Sequence, residues 1–239
     1  EVVINDDSID VDFRVESDGN ANMLFVDGGN NRVGIGTIPA VTLHVGGQAY
    51  IDTYLSLRTT DDQANRWLLY TGTSDKLEFN YNGSGNAEVV IDNAGRVTMP
   101  SQPAFLVQPA SLQENIPING STTIAFGTEV FDQGGNFASS IFTAPVTGRY
   151  QLNVNLYAQV VDSAAAYVQV ALKTTLRQYY YIFSTNTLDQ DAAYMSFPIS
   201  VLANMDEGDT AYVEIQLDNT GASQMDINSV SSFSGYLVA

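Results

Sequence analysis

The chain has 239 residues, 44% of them apolar and 10% aromatic, enough to build a core and to exclude a disordered chain. Its net charge of −18 comes from 9 Lys+Arg against 27 Asp+Glu, divided 6 against 15 over residues 1–100 and 3 against 12 over 101–239. That excludes a nucleic-acid partner, because phosphate binding needs a basic face and neither half can make one.

There are no cysteines, so disulfides and thiolate metal sites are unavailable. No apolar run approaches the roughly 18–20 residues of a membrane span. A chain that opens on Glu1 is expected to be a fragment or a processed product. The 13 Tyr, 11 Phe and 19 Gly, with many Val and Thr and no helical periodicity, predict an all-β fold of strands joined by tight turns.

Residues 1–100 repeat a short phrase. Leu24-Phe25-Val26-Asp27 leads through a Gly/Asn turn to Arg32-Val33-Gly34-Ile35. Val89-Val90-Ile91-Asp92 leads through Asn93-Ala94-Gly95 to Arg96-Val97-Thr98, and Glu1 to Asp6 is a partial copy of Glu88 to Asn93. The turn residues tolerate positive φ, as a tight hairpin requires. One such hairpin cannot bury its apolar face, so the repeats must stack on other copies, other chains or both. Leu43-His44-Val45, Tyr54 to Arg58, Arg66 to Tyr70 and Lys76 to Tyr81 read as further strands, with turns at Thr71 to Asp75 and Asn82 to Asn86. The region 1–100 is therefore expected to be a β-hairpin shaft.

Met99-Pro100-Ser101-Gln102-Pro103 punctuates the chain and sets the expected domain boundary. From Tyr150 to Val160 every even position is apolar, so one face of a long strand is core and the other is wet. Tyr167 to Thr175, Gln178 to Phe183, Ala192 to Leu202, Thr210 to Leu217 and Ser232 to Val238 follow as strands, with shorter ones near Phe105 and Ile124. This inventory predicts a β-sandwich or jelly roll over 103–239.

Phe142-Thr143-Ala144-Pro145-Val146-Thr147-Gly148-Arg149-Tyr150 resembles the phrase that marks globular heads of the complement-1q type. Asp132 and Phe137 precede it where that family has an Asn/Asp and an aromatic residue. Gly208-Asp209-Thr210-Ala211-Tyr212-Val213 and Phe233-Ser234-Gly235-Tyr236-Leu237-Val238 are similar to its last two strands. The resemblance implies a jelly roll, also found in tumour necrosis factor, that assembles as a homotrimer. Phe25-Val26-Asp27-Gly28-Gly29-Asn30-Asn31-Arg32-Val33-Gly34-Ile35-Gly36-Thr37 resembles shaft segments of phage tail fibres. Together these imply a trimeric fibre tip in a virion or outside a cell, with other virion tail proteins and a host-surface glycan or protein as partners. A secreted, non-viral lectin or adhesin, or a head that serves only to trimerise the shaft, would share this wording.

No enzyme is expected. Gly34-Ile35-Gly36-Thr37 lacks the Lys and the following helix of a nucleotide loop. His44 is the only histidine, so a triad within one chain is excluded, although three copies could meet on an axis. Acidic residues are plentiful, but nothing marks a pair in a cleft, and a fold supplies no site by itself. Oxygen-rich loops at Asp189-Gln190-Asp191 and Asp206 to Asp209 suit a hard cation such as calcium.

In calcium-binding members of the complement-1q type, one ligand falls in a phrase that Leu188-Asp189-Gln190 resembles. The acidic pair upstream of it is replaced here by Tyr181 and Ile182. Asp189 and Asp191 are thus candidates for a cation near the trimer apex, against ordinary solvated loop acids. The run Tyr179 to Phe183 would bury either Tyr180 and Ile182 or, in the other phase, Tyr179, Tyr181 and Phe183, and the latter set is the candidate trimer contact. Asn82-Gly83-Ser84 and Asn119-Gly120-Ser121 match the glycosylation pattern, yet Asn-Gly is also what a turn needs.

Overall fold

The computed structural model describes residues 10–52, 54–58, 66–71, 75–83, 87–117, 119–218 and 225–239. The partial repeat at Glu1 to Asp6 lies outside them, as do Gly72 to Ser74 and Ser84 to Asn86 of the expected turns. The chain divides into two compact units, Glu1–Ser84 and Gly85–Ala239.

In the first unit β1 (Phe13–Ser17), β2 (Asn20–Asp27), β3 (Arg32–Ile35) and β4 (Leu43–Val45) form a sheet in that order. Asn31, at φ +56°, closes the β2–β3 hairpin, in the turn where the sequence places residues that tolerate positive φ. The pairing β3–β4 is parallel.

Register aligns Phe13, Val26, Val33 and Leu43 in one cross-strand row and Val15, Leu24, Ile35 and Val45 in the next, so these two rows make one face apolar, with Asn22 and Asn20 of β2 following at its end. On the opposite face Gly34 lies under the returning chain. A Cβ there would sit 2.1 Å from the Thr37 carbonyl oxygen and 3.0 Å from Pro39, which is why only glycine fits.

β5 (Leu55–Arg58), β6 (Arg66–Thr71) and β7 (Leu77–Tyr81) run antiparallel. Leu55, Leu69 and Phe79 form one row and Leu57, Trp67 and Tyr81 another, with the Trp67 and Tyr81 rings 5.5 Å apart. The opposite row of Ser56, Leu68 and Asn80 includes the buried side chains Leu68 and Asn80.

The second unit opens on the hairpin of β8 (Val89–Ile91) and β9 (Val97–Thr98). The Asp92 carboxylate organises its turn by accepting from the Ala94 and Arg96 amides at 2.9 Å each. The sandwich follows with β10 (Ala104–Gln108), β11 (Gln113–Ile116), β12 (Gly120–Thr123), β13 (Thr128–Gln133), β14 (Phe137–Ala138), β15 (Ile141–Thr143) and β16 (Gly148–Val161). Then come β17 (Tyr167–Thr174), β18 (Gln178–Phe183), β19 (Ala192–Met205), β20 (Thr210–Asp218), β21 (Met225–Ile227) and β22 (Ser232–Leu237).

One sheet runs β13-β10-β22-β16-β19, with β21 beside the far end of β16 and β11 outside it. The other runs β14-β15-β20-β17-β18, with β12 also on β20. Both sheets are built on antiparallel pairs.

The core between them is aromatic where the two sheets close. Phe105 stacks on Phe142 and Phe137 at 4.7 and 5.2 Å, and Phe233 meets Phe105 edge-on at 5.0 Å. The motif residues of the head have physical reasons for being there. A Cβ on Gly148 would meet the Ala239 carbonyl oxygen at 2.7 Å, and one on Gly235 would meet Leu152 and Phe105 at 2.6 and 2.8 Å. Asp132 accepts from the amides of Asn136 (3.1 Å) and Phe137 (2.9 Å), and so holds Phe137 over the core.

Candidate interaction surface

The alternation of β16 buries Tyr150, Leu152, Val154, Leu156 and Ala158 and turns the intervening residues outward. Register extends each outward residue into a row across the sheet. Leu202, Gln151, Tyr236 and Ala104 form one row, and Ser200, Asn153, Ser234, Leu106 and Phe131 form the next.

These two rows carry no charge, and their large apolar members are open. Leu202 is 54% exposed, and Tyr236 and Phe131 are each 49% exposed. Further along the same face Tyr194 stacks on Tyr157, with centroids 5.6 Å apart and planes 18° apart. Three polar side chains at the centre bond to one another. The Gln151 amide donates to Asn153 Oδ1 (3.1 Å) and Ser200 Oγ (3.0 Å), and Ser200 donates to Asn153 Oδ1 (2.8 Å). These three bonds survive when the face is covered, which offsets part of the cost of burying polar atoms.

Sequence reasoning missed this surface, although a signal was present in β19. Its inward phase is Met195, Phe197 and Ile199, and its outward phase still contains Tyr194, Pro198 and Leu202. A strand that is apolar in both phases is one expected to be covered on both faces.

The aromatic run falls on β18, at the edge of the second sheet. Tyr179 and Phe183 are half-buried against the core of their own chain, Tyr181 is 36% exposed with its ring edge-on to Phe197 at 6.1 Å, and Tyr180 and Ile182 point outward. Asp189 and Asp191 stand exposed in the loop before β19. Asp191 Oδ1 accepts from the Ser163 amide (2.9 Å) and hydroxyl (2.7 Å), and these two bonds, the backbone one first, hold its carboxyl below the usual carboxylate range.

Asp209 Oδ2 accepts from the Asp206 amide at 2.8 Å and closes the turn into β20. Among the described residues no three His, Cys, Asp or Glu side chains gather as a metal site, and no helix is long and apolar enough to cross a membrane. His44 Nδ1 accepts from the Ala40 amide at 3.3 Å, and it lies on the face of its sheet opposite the apolar one.

Among solved structures the chain is similar to the globular domain of zebrafish complement 1qA protein at 18% identity. That match has a TM-score of 0.44 and covers 58% of this chain and 98% of the other. It is also similar to murine APRIL at 15% identity and a TM-score of 0.42, covering 57% and 99%. No curated protein matches it. The family model of the C1q domain matches residues 104–238, the stretch that holds the Pro145, Gly148 and Tyr150 corner and both closing strands, and the chain belongs to the C1q domain family.

Proposed function

We propose that this chain is the distal part of a homotrimeric attachment protein, a phage tail-fibre tip or receptor-binding protein. In it the repetitive N-terminal region carries three C1q-type heads, and the head loops contact a host-surface glycan or protein. The observation that carries the reading is the pair of uncharged outward rows on β16, β19 and β22, where Leu202 and Tyr236 lie open, with Tyr194 stacked on Tyr157 further along. Heads of the C1q type are typically trimers, and this face, with Tyr181 at the adjoining edge, is where the contact falls. Threefold presentation turns a weak contact per head into firm attachment through effective concentration. The resemblance of residues 25–37 to phage fibre shafts supports a virion as the carrier.

Light scattering on the intact chain tests it. A mass three times the 25.8 kDa of one chain is expected, falling to one chain in the double variant Leu202→Asp, Tyr194→Asp. The trimer, and not the double variant, is expected to decorate host cells. A monomeric wild-type chain at micromolar concentration rejects the reading.

A further inference from the structure

We propose that the Glu1–Ser84 unit completes its core between chains, its two apolar sheet faces each being covered by the same faces of two further copies. Among the described residues of this unit Leu68, at 6% exposure, is the one buried large apolar side chain. A unit of this length that buried so little would not offset the conformational entropy of ordering its strands.

The missing core is visible as surface. Val15, Ile35 and Leu43 are 43%, 48% and 62% exposed on one sheet, and Leu57, Trp67 and Tyr81 are 58%, 45% and 40% exposed on the other. On the opposite faces the returning chain lies close over Gly34 in the first sheet, and Leu68 and Asn80 are buried in the second. The open faces are therefore the ones left for a partner.

Each face carries three large apolar side chains that are at least 40% exposed within register rows free of charge, the kind of exposed apolar patch that marks an interaction surface. The occupant must match a charge-free strand face in length and flatness. The register rows contain no ionisable group except the Tyr81 hydroxyl, so a charged partner finds nothing to pair with. Identical faces from the other chains of the trimer meet the requirement. The inference rests on the trimer reading above, and it adds that the repetitive region is itself an interface and folds only on association.

The chain has no cysteine and one tryptophan, so two probes report without interference. In the full-length protein Leu57→Cys is expected to link chains covalently with a short bismaleimide, whereas Lys76→Cys, in the turn before β7, is not. In the unmodified trimer Trp67 is expected to resist acrylamide quenching several-fold better than free tryptophan, and to lose that protection on dilution to monomers.

A trimer in which Leu57→Cys stays unlinked and Trp67 is freely quenched overturns the inference and leaves the head-mediated trimer standing. Linkage that persists after Leu202→Asp, Tyr194→Asp shows the repetitive region associating without the head face, which supports the inference while the trimer reading fails at the head. A monomer with open Trp67 overturns both. Should Leu57→Cys fail to fold, the Trp67 quenching decides alone.

Discussion

The Tyr150 hydroxyl donates to the Val146 carbonyl at 2.7 Å from a side chain with no exposed surface. The bond ties the first long strand of the head to the Pro145–Gly148 corner, and it can exist only while the phenol keeps its proton. Burial pushes the Tyr150 hydroxyl above its ordinary pKa of 10.0.

A group whose folded pKa is raised contributes stability below its unfolded pKa and loses it as pH rises through the folded one. Head stability is therefore expected to fall above about pH 10. Tyr150→Phe should cost about 1 kcal/mol at neutral pH, the net worth of a hydrogen bond, and should remove the Tyr150 share of the alkaline loss. Urea unfolding of both proteins at pH 7 and pH 10.5, at matched chain concentration because association enters the apparent stability, measures both effects. A Tyr150→Phe chain with an unchanged alkaline limb would reject the assignment.

Gly235 is where the closing strand passes closest to the core. An added Cβ meets Leu152 Cδ2 at 2.6 Å, Phe105 Cε1 at 2.8 Å and the Gln151 carbonyl oxygen at 3.1 Å. Leu152 can shift, but the packed ring and the strand backbone cannot both give way. Gly235→Ala is expected to destabilise the head by about 1–3 kcal/mol, as overpacking does. Gly120→Ala, where nothing lies within 4 Å, is expected to be neutral or to stabilise by a few tenths of a kcal/mol through the unfolded chain. Midpoints that fall equally in the two variants would show that close approach is not what selects glycine at 235.

The long strands were legible because alternation is a strong signal. Gln178 to Phe183 is expected and found with the same bounds, and the strand from Tyr150 to Val160 is observed as Gly148–Val161. β21 and β11 escaped, since Met225-Asp226-Ile227 and Gln113-Glu114-Asn115-Ile116 are too short and too polar to show a period. The parallel return of β4 beside β3 is fixed by the Thr37 to Thr42 turn, which carries no pairing rule that a sequence displays.

The phase of Tyr179 to Phe183 was open because both phases are aromatic or aliphatic. Packing against the core selects Tyr179 and Phe183 as the inward pair. The outward face of β16, β19 and β22 depends on cross-strand register, so no single strand could reveal that Leu202, Gln151 and Tyr236 share a row.

Val160 is a β-branched residue at φ +56°. Gln159 pairs with Tyr194 and Val161 with Ala192, while Val160 carries the left-handed conformation between them. The kink sets the path of the chain into a tight turn, where Asp162 is 6% exposed and its Oδ1 accepts from the Ala164 amide at 2.8 Å. It also brings Ser163 to Asp191.

The left-handed region costs a side chain branched at Cβ roughly 1–2 kcal/mol, and Val160, 46% exposed, recovers little of that by packing. Asparagine adopts the same conformation at low cost. Val160→Asn is therefore expected to raise stability by about 0.5–1 kcal/mol, seen as a higher urea midpoint with an unchanged m-value, while the Ser163 bonds to Asp191 persist. A lower midpoint would mean that the valine side chain contributes packing in the assembled head that outweighs the strain of its backbone.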